Sequence, residues 1–351
     1  MSSTAAASPT IPTFDEVVAA ATLIASGIAR TPCVRSSALS ELCRADIWCK
    51  LDYLQSTGSF KERGGRHALL QLEEARRAKG VIAASAGNHA LALAYHGRSL
   101  GVPVTVVMPQ FAPLVKQVRC QQFGARVIVH GENIAEARLR ANELVATEGL
   151  TYINGFNDVH IITGAGTCAL EIFEQCPEPD AIVVPVGGGG LIAGISLVSK
   201  TLRPETEIIG VESSRCASMT AALEAGRPVQ VLSKASLADG LAVPEVGALS
   251  FEVARSRIGR VVTVSEESIA RAILRIAEGE KGVVEGAGAT PLAAFMEGKL
   301  KHLEGKKVVL VLCGGNIDPT TLSRCRTAPH HYFTTAIVFI NFQGYRLRLG
   351  A

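Results

Sequence analysis

The 351-residue chain is 48% apolar and 19% charged, which excludes a disordered or fibrous protein and leaves a globular one long enough for two lobes and a large core. Its 35 basic and 32 acidic residues leave a net charge of +3, without the positive footprint of a nucleic-acid or anionic-membrane binder, so small neutral or zwitterionic ligands are expected. Nine scattered cysteines, with no Cys-x-x-Cys pair, argue against a disulfide framework or zinc site and for reduced thiols in the cytoplasm.

The opening Met1 to Ser8 resembles neither a secretion signal nor a transit peptide, and it reads as a frayed end. No apolar run approaches the roughly 20 residues of a membrane helix. Thr13-Phe14-Asp15-Glu16 has the spacing of a capping box, and a helix is expected to run on through Val17 to Ile28. Arg30-Thr31-Pro32 ends it. Ile47 to Leu51 reads as a strand leading into Ser56-Thr57-Gly58-Ser59-Phe60-Lys61-Glu62-Arg63-Gly64, followed by an amphipathic helix from His67 to Lys79. A lysine beside an aromatic ring, before a helix, is a candidate Schiff-base former, because desolvation lowers its pKa and leaves a nucleophilic fraction at neutral pH.

Strands are then expected at Val81–Ala84, Val104–Met108, Arg126–Val129 and Thr151–Ile153, separated by helices at Leu91–Leu100, Pro113–Phe123 and Ile134–Glu148. A second series has strands at Ala181–Val186, Glu207–Glu212, Val261–Val264 and Val308–Leu312. Its helices fall near Gly166–Gln175, Leu191–Leu202, Ile269–Glu278 and Pro291–Lys299. The alternation argues for an α/β protein with two lobes, each a parallel sheet covered by helices. The last 26 residues, from Arg326, hold five aromatics and no acidic side chain, and do not read as a further βα unit.

Three strand ends carry chemistry. Gly187-Gly188-Gly189-Gly190-Leu191 follows a buried strand and opens a helix, so successive N–H groups and the helix dipole can hold a phosphate. The run matches neither Gly-x-Gly-x-x-Gly nor the nucleoside-triphosphate loop. Ser85-Ala86-Gly87-Asn88-His89 also joins a strand to a helix, and its N–H groups suit a carboxylate, although Ser and Asn are equally ordinary capping residues. Cys313-Gly314-Gly315-Asn316 ends the last strand, where a thiol could face a ligand as a neutral hydrogen-bond partner.

These four stretches, in this order, resemble the fold-type II pyridoxal-phosphate enzymes (tryptophan synthase beta-like), in particular the threonine/serine dehydratases, or ammonia-lyases. The resemblance runs from about Arg30 to Asp318 and implies one lobe from 1–80 and 155–325, a small lobe from 81–154, and an atypical tail from 326–351. It implies that Lys61 carries the cofactor and acts as the base at Cα, that Phe60 packs on its ring, and that Asn88 bonds its 3′-oxygen. Gly187, Gly188, Gly189, Gly190 and Leu191 would hold the phosphate, with Cys313 facing the pyridine nitrogen and Glu285 near the cofactor. Ser85, Ala86, Gly87, His89 and Asp239 would meet the amino acid substrate. The implied reaction is β-elimination of L-threonine or L-serine to 2-oxobutanoate or pyruvate plus ammonia, by a homo-oligomer, dimer or tetramer.

Related activities are a threo-3-hydroxyaspartate ammonia-lyase, a serine racemase or a β-replacing synthase, and a catalytically silent cofactor-binding protein is the alternative of another class. Racemases of this family carry serine where Ala86 stands. They also bind a divalent cation at a site where this chain offers Glu212 and Cys216 but has Ser218 in place of the second carboxylate, so no metal is expected.

Overall fold

The computed structural model describes residues 11–110, 112 and 114–325. The expected frayed start, Pro113 and the aromatic tail lie outside the described residues. Helix α1 (Phe14–Ile24) opens on the capping box, with Glu16 N donating to Thr13 Oγ1 at 3.3 Å and Thr13 N donating to Glu16 Oε2 at 2.6 Å. It ends four residues short of Ile28, in a 3₁₀ turn over Ala25–Gly27. Strand β1 (Cys33–Arg35) and helix α2 (Ser37–Cys43), neither of them expected, precede β2 (Asp46–Lys50).

The helix expected over His67–Lys79 is instead two, α3 (Lys61–Leu70) and α4 (Glu74–Lys79). The stretch Lys61 to Arg66 hides its helical character because it is charged and contains two glycines, yet Glu62 through Leu69 are all buried. Close contact requires the first of them: a Cβ on Gly64 would lie 2.7 Å from Ile161 O, whereas one on Gly65 would make only an ordinary contact with the Ala92 methyl, at 3.4 Å.

A four-stranded parallel sheet follows: β3 (Val81–Ala84), α5 (Asn88–Leu100), β4 (Val104–Met108), α6 (Leu114–Gln122), β5 (Arg126–Val129), α7 (Ile134–Glu148) and β6 (Thr151–Tyr152), in strand order β5-β4-β3-β6. One face packs Val81, Ala83, Val104 and Val106 against α3, α5 and α6, and the other packs Ile82 and Val107 against Ala137, Ala141 and Leu144 of α7. The chain returns through α8 (Val159–Gln175) to β7 (Ala181–Pro185), α9 (Gly190–Leu202), β8 (Glu207–Ser213), α10 (Ser218–Ala225), α11 (Ala248–Ala254), β9 (Arg260–Val264), α12 (Glu266–Glu280), α13 (Gly286–Met296), β10 (Lys307–Val311) and α14 (Pro319–Cys325).

These strands form a six-stranded sheet in the order β1-β2-β10-β7-β8-β9, parallel except for the antiparallel edge β1–β2. Their interior runs, such as Ala181–Pro185, are wholly buried, as a sheet covered on both faces requires. Helix α13 starts five residues earlier than expected, with Pro291 in its interior. Pro291 cannot bond Ala287 O, and Thr290 Oγ1 donates to that carbonyl instead, at 3.0 Å.

Register places the chemistry. Val311 pairs with Lys50 and Leu310 with Val183, so the ends of β2, β10 and β7 lie side by side. The lysine turn, the Cys313–Asn316 turn and the glycine run therefore leave one edge of the sheet, at the carboxyl ends where parallel sheets bind ligands.

Candidate active site

Lys61 is the first residue of α3, and the turn before it is tied to the last strand. Phe60 N donates to Cys313 O and Gly315 N to Gly58 O, both at 2.9 Å, and Ser59 bridges Gly314. Lys61 Nζ lies 5.0 Å from the centre of the Phe60 ring and donates to Gly155 O at 2.5 Å. The side chain keeps partial exposure, but desolvation of the ammonium outweighs the nearby Cys313 and Glu285 and lowers its pKa to about 8.

The helix is anchored by a neighbour of the lysine. Arg63, fully buried, forks onto Asp52 with two bonds of 2.8 Å and onto Glu171 at 2.7 and 2.8 Å, and Glu171 also takes Lys50 Nζ at 2.5 Å. Arg63 and Lys50 hold the buried Asp52 carboxyl below its ordinary range despite desolvation. The charges are paired and bonded as burial demands, and they fasten α3 to α8 and to the turn after β2.

The glycine run does what a tight anion cradle needs. Gly189 takes φ +90°, open to glycine at little cost, and no side chain caps α9. A Cβ on Gly188 would meet the Phe156 ring at 2.2 Å, and one on Gly187 would lie 2.9 Å from Leu241 Cα. Leu191 is buried in the first turn of α9. The segment Asn154-Gly155-Phe156-Asn157, which sequence reading passed over, thus spans from the lysine amine to the glycines. Asn154 Oδ1 folds it by accepting from Phe156 N and Asn157 N, at 3.1 and 2.8 Å. Its cluster of turn residues before the Asp158 cap of α8 was the available signal.

Asn88 opens α5. Its Nδ2 donates to Glu285 Oε1 at 2.7 Å, and its Oδ1 accepts from Asn316 Nδ2 at 2.9 Å. Burial, helped by Asp239, raises the Glu285 carboxyl to about 7. Cys313 is buried too, and desolvation with the neighbouring Glu285 pushes its thiol well above the usual range, so it stays neutral.

No side chain caps α5 either, and Ser85 Oγ accepts from Gly87 N at 3.3 Å. Ala86 and Gly87 are half-buried, with open space where Gly87 would carry a Cβ. The His89 ring donates from Nε2 to Ile153 O at 3.0 Å, and burial together with Lys61 lowers its pKa to about 4. It is neutral at pH 7, so a carboxylate at this loop relies on backbone N–H groups. Asp239 is the outlier, largely exposed and paired with Lys116 of α6 at 3.2 Å. It lines a cavity of about 580 Å³, between α6 and the turn after β10, that also reaches Glu285, Asn316 and Arg119.

The donor set fits pyridoxal phosphate: an amine of lowered pKa, an uncapped glycine cradle and a neutral thiol. Thr57 Oγ1, Ser59 Oγ and His89 Nδ1 lie around the lysine turn, buried and without a partner among the described residues. Glu212, the carboxylate at the positions that match the racemase cation site, is already used by α10. It accepts from Met219 N at 2.7 Å and from Thr220 N and Oγ1 at 3.0 and 2.7 Å.

Comparison with known proteins agrees with this chemistry. The family model described as pyridoxal-phosphate dependent enzyme matches residues 24–314. The chain is 43% identical over 312 residues to an L-threonine ammonia-lyase of Thermotoga maritima, covering 89% of this chain and 77% of that protein. It is similar in structure to threonine deaminase isoform 2 of Solanum lycopersicum, with a TM-score of 0.83, 33% identity, and coverage of 91% and 94% of the two chains. Maize serine racemase gives a TM-score of 0.86 at 30% identity, covering 90% and 97%.

Proposed function

The chain belongs to the family of pyridoxal-phosphate-dependent enzymes, and from that premise we propose how its residues carry the reaction. It is a lyase that uses pyridoxal 5′-phosphate to deaminate L-threonine. When bound, that cofactor makes the Cα proton of an attached amino acid acidic. The backbone of Gly187 to Leu191 would hold its phosphate, with Phe60 against its ring, Asn88 donating to its 3′-oxygen and Cys313 near its pyridine nitrogen. A neutral thiol at Cys313 would not keep that nitrogen protonated as a carboxylate would, which favours loss of the β-hydroxyl, leaving as water once it has taken a proton, over return of the proton to Cα.

The amine of Lys61 would be the group that holds the cofactor covalently and, once released, the base that takes the Cα proton, from one face only. Ser85 to His89 orient the substrate carboxylate through N–H groups at the start of α5. Ala86 offers a methyl group on the face opposite Lys61, so the proton is not returned there and elimination prevails over racemisation. The released enamine hydrolyses to 2-oxobutanoate and ammonia, and L-serine yields pyruvate by the same steps.

The observation that carries this reading is the position of Lys61, with its amine lowered to about 8 at the start of α3 and linked through Gly155 and Phe156 to the glycine cradle. Two proposals concern setting. The nine cysteines are buried free thiols, which supports a reducing cytoplasm, and the resemblance supports a homo-oligomer. The division at residues 81–154 rests on the two separate sheets. Among the described residues no helix is long and apolar enough to cross a membrane.

The test is release of 2-oxobutanoate from L-threonine and of pyruvate from L-serine by the purified chain, with borohydride reduction and peptide mapping. The label is expected on Lys61, and Lys61→Ala should lose label and turnover while remaining folded. A pyridoxyl group on any other lysine refutes the assignment.

A further inference from the structure

Asn316 closes the turn after β10, and every hydrogen-bonding group of its amide is committed. Nδ2 donates to Thr57 O at 2.7 Å and to Asn88 Oδ1 at 2.9 Å, while Oδ1 accepts from Arg119 Nη1 of α6 at 3.2 Å. An amide nitrogen only donates and its oxygen only accepts. Turning this amide over would set oxygen against the Thr57 carbonyl and N–H groups against the guanidinium. Gly58 lets the side chain come this close: at φ +81°, with a Cβ it would stand 2.8 Å from Asn316 Oδ1.

The orientation passes to the next amide. Because Asn316 presents N–H, Asn88 must answer with Oδ1, which turns its Nδ2 toward Glu285 Oε1, 2.7 Å away. One proton of that Nδ2 serves Glu285, and the other remains to donate.

We propose that Arg119 and Asn316 are positioning residues that hold the Asn88 amide as a donor toward the cofactor's 3′-oxygen. The proposal rests on the assignment of Asn88 made above. It gives a task to the asparagine of the Cys313–Asn316 turn and ties the cofactor's surroundings to α6, on the smaller sheet. Arg119, the anchor of the relay, also lines the 580 Å³ cavity that reaches Glu285 and Asn316.

Asn316→Asp is nearly isosteric and keeps Arg119, but it has no N–H to offer. Asn88 is then expected to turn its own Nδ2 to the new carboxylate and its oxygen toward the cofactor and Glu285. The Kd for pyridoxal phosphate, measured on apoprotein, should rise about 10-fold or more, the scale of one buried hydrogen bond replaced by a repulsion. The visible band of the bound cofactor should shift in its pH titration. Arg119→Met should move both readouts the same way, by about threefold.

In an Asn88→Ala background, Asn316→Asp should change the Kd no further, because the relay ends at Asn88. A merely structural defect, or the added charge acting directly, would persist in that background and would overturn the proposal. So would wild-type Kd and spectra in both single variants. If Asn316→Asp does not fold, Arg119→Met decides by the same two readouts. Failure of the proposed function would appear separately, as a wild type that binds cofactor and releases no oxo acid.

Discussion

Burial gives the Lys61 amine a reactivity that an exposed lysine lacks, and the size of the effect follows from its pKa. At about 8, against an ordinary 10.5, about one amine in four is neutral at pH 7.5, compared with about one in a thousand for an exposed lysine, a gain of roughly 200-fold. The perturbation is pH. Apoprotein mixed with pyridoxal phosphate in a stopped-flow instrument should capture it at a rate that rises about 30-fold from pH 6.5 to 9.5 and levels off above a midpoint near 8. Dividing by the rate per neutral amine of a simple alkyl amine in the same buffers removes the ionisations of the cofactor itself. Glu285 opposes the shift, because its negative charge favours the ammonium, so Glu285→Gln should move the midpoint below that of the wild type. A rate that keeps climbing tenfold per pH unit through 9.5 would show an ordinary lysine and refute the reasoning.

Arg63→Met should cost about 3–5 kcal/mol in urea unfolding, because it strands the fully buried Asp52 carboxylate, and a loss below 1 kcal/mol would count against the anchoring role. For Glu285 the folded pKa, about 7, lies above the ordinary 4.5. Its contribution to stability is therefore complete below pH 4.5 and lost as pH rises through 7, so Glu285→Gln should gain on the wild type by up to about 3 kcal/mol between pH 5 and 8. A constant difference across that range would contradict the raised carboxyl. Ala86→Ser should add an acid on the second face of Cα, and general acid help of about 10²- to 10⁴-fold should make D-serine appear beside pyruvate from L-serine. Substantial D-serine from the wild type would remove position 86 from the explanation.

Some of this protein was legible one segment at a time, because the physics involved is local. A run of glycines between a buried strand and a helix, Thr13 three residues before Glu16, and the alternation from Val81 to Glu148 each act through residues close in the chain. The four motifs carry their chemistry in their own residue types, and Lys61, Asn88 and Gly187 to Gly190 could be named from them. The start of α3 could not, since its charged first turn is stable only because Asp52 and Glu171 are brought to Arg63 from 11 and 108 residues away. The same holds for Pro291 inside α13, and for Gly155 and Phe156, which reach the lysine and the glycines only after the chain has crossed between sheets. The orientation of the Asn88 amide lay furthest from view. It depends on Asn316 and Arg119, separated by 197 residues, and an amide's direction is decided by which donors and acceptors the folded chain sets around it, a property that no stretch of sequence holds by itself.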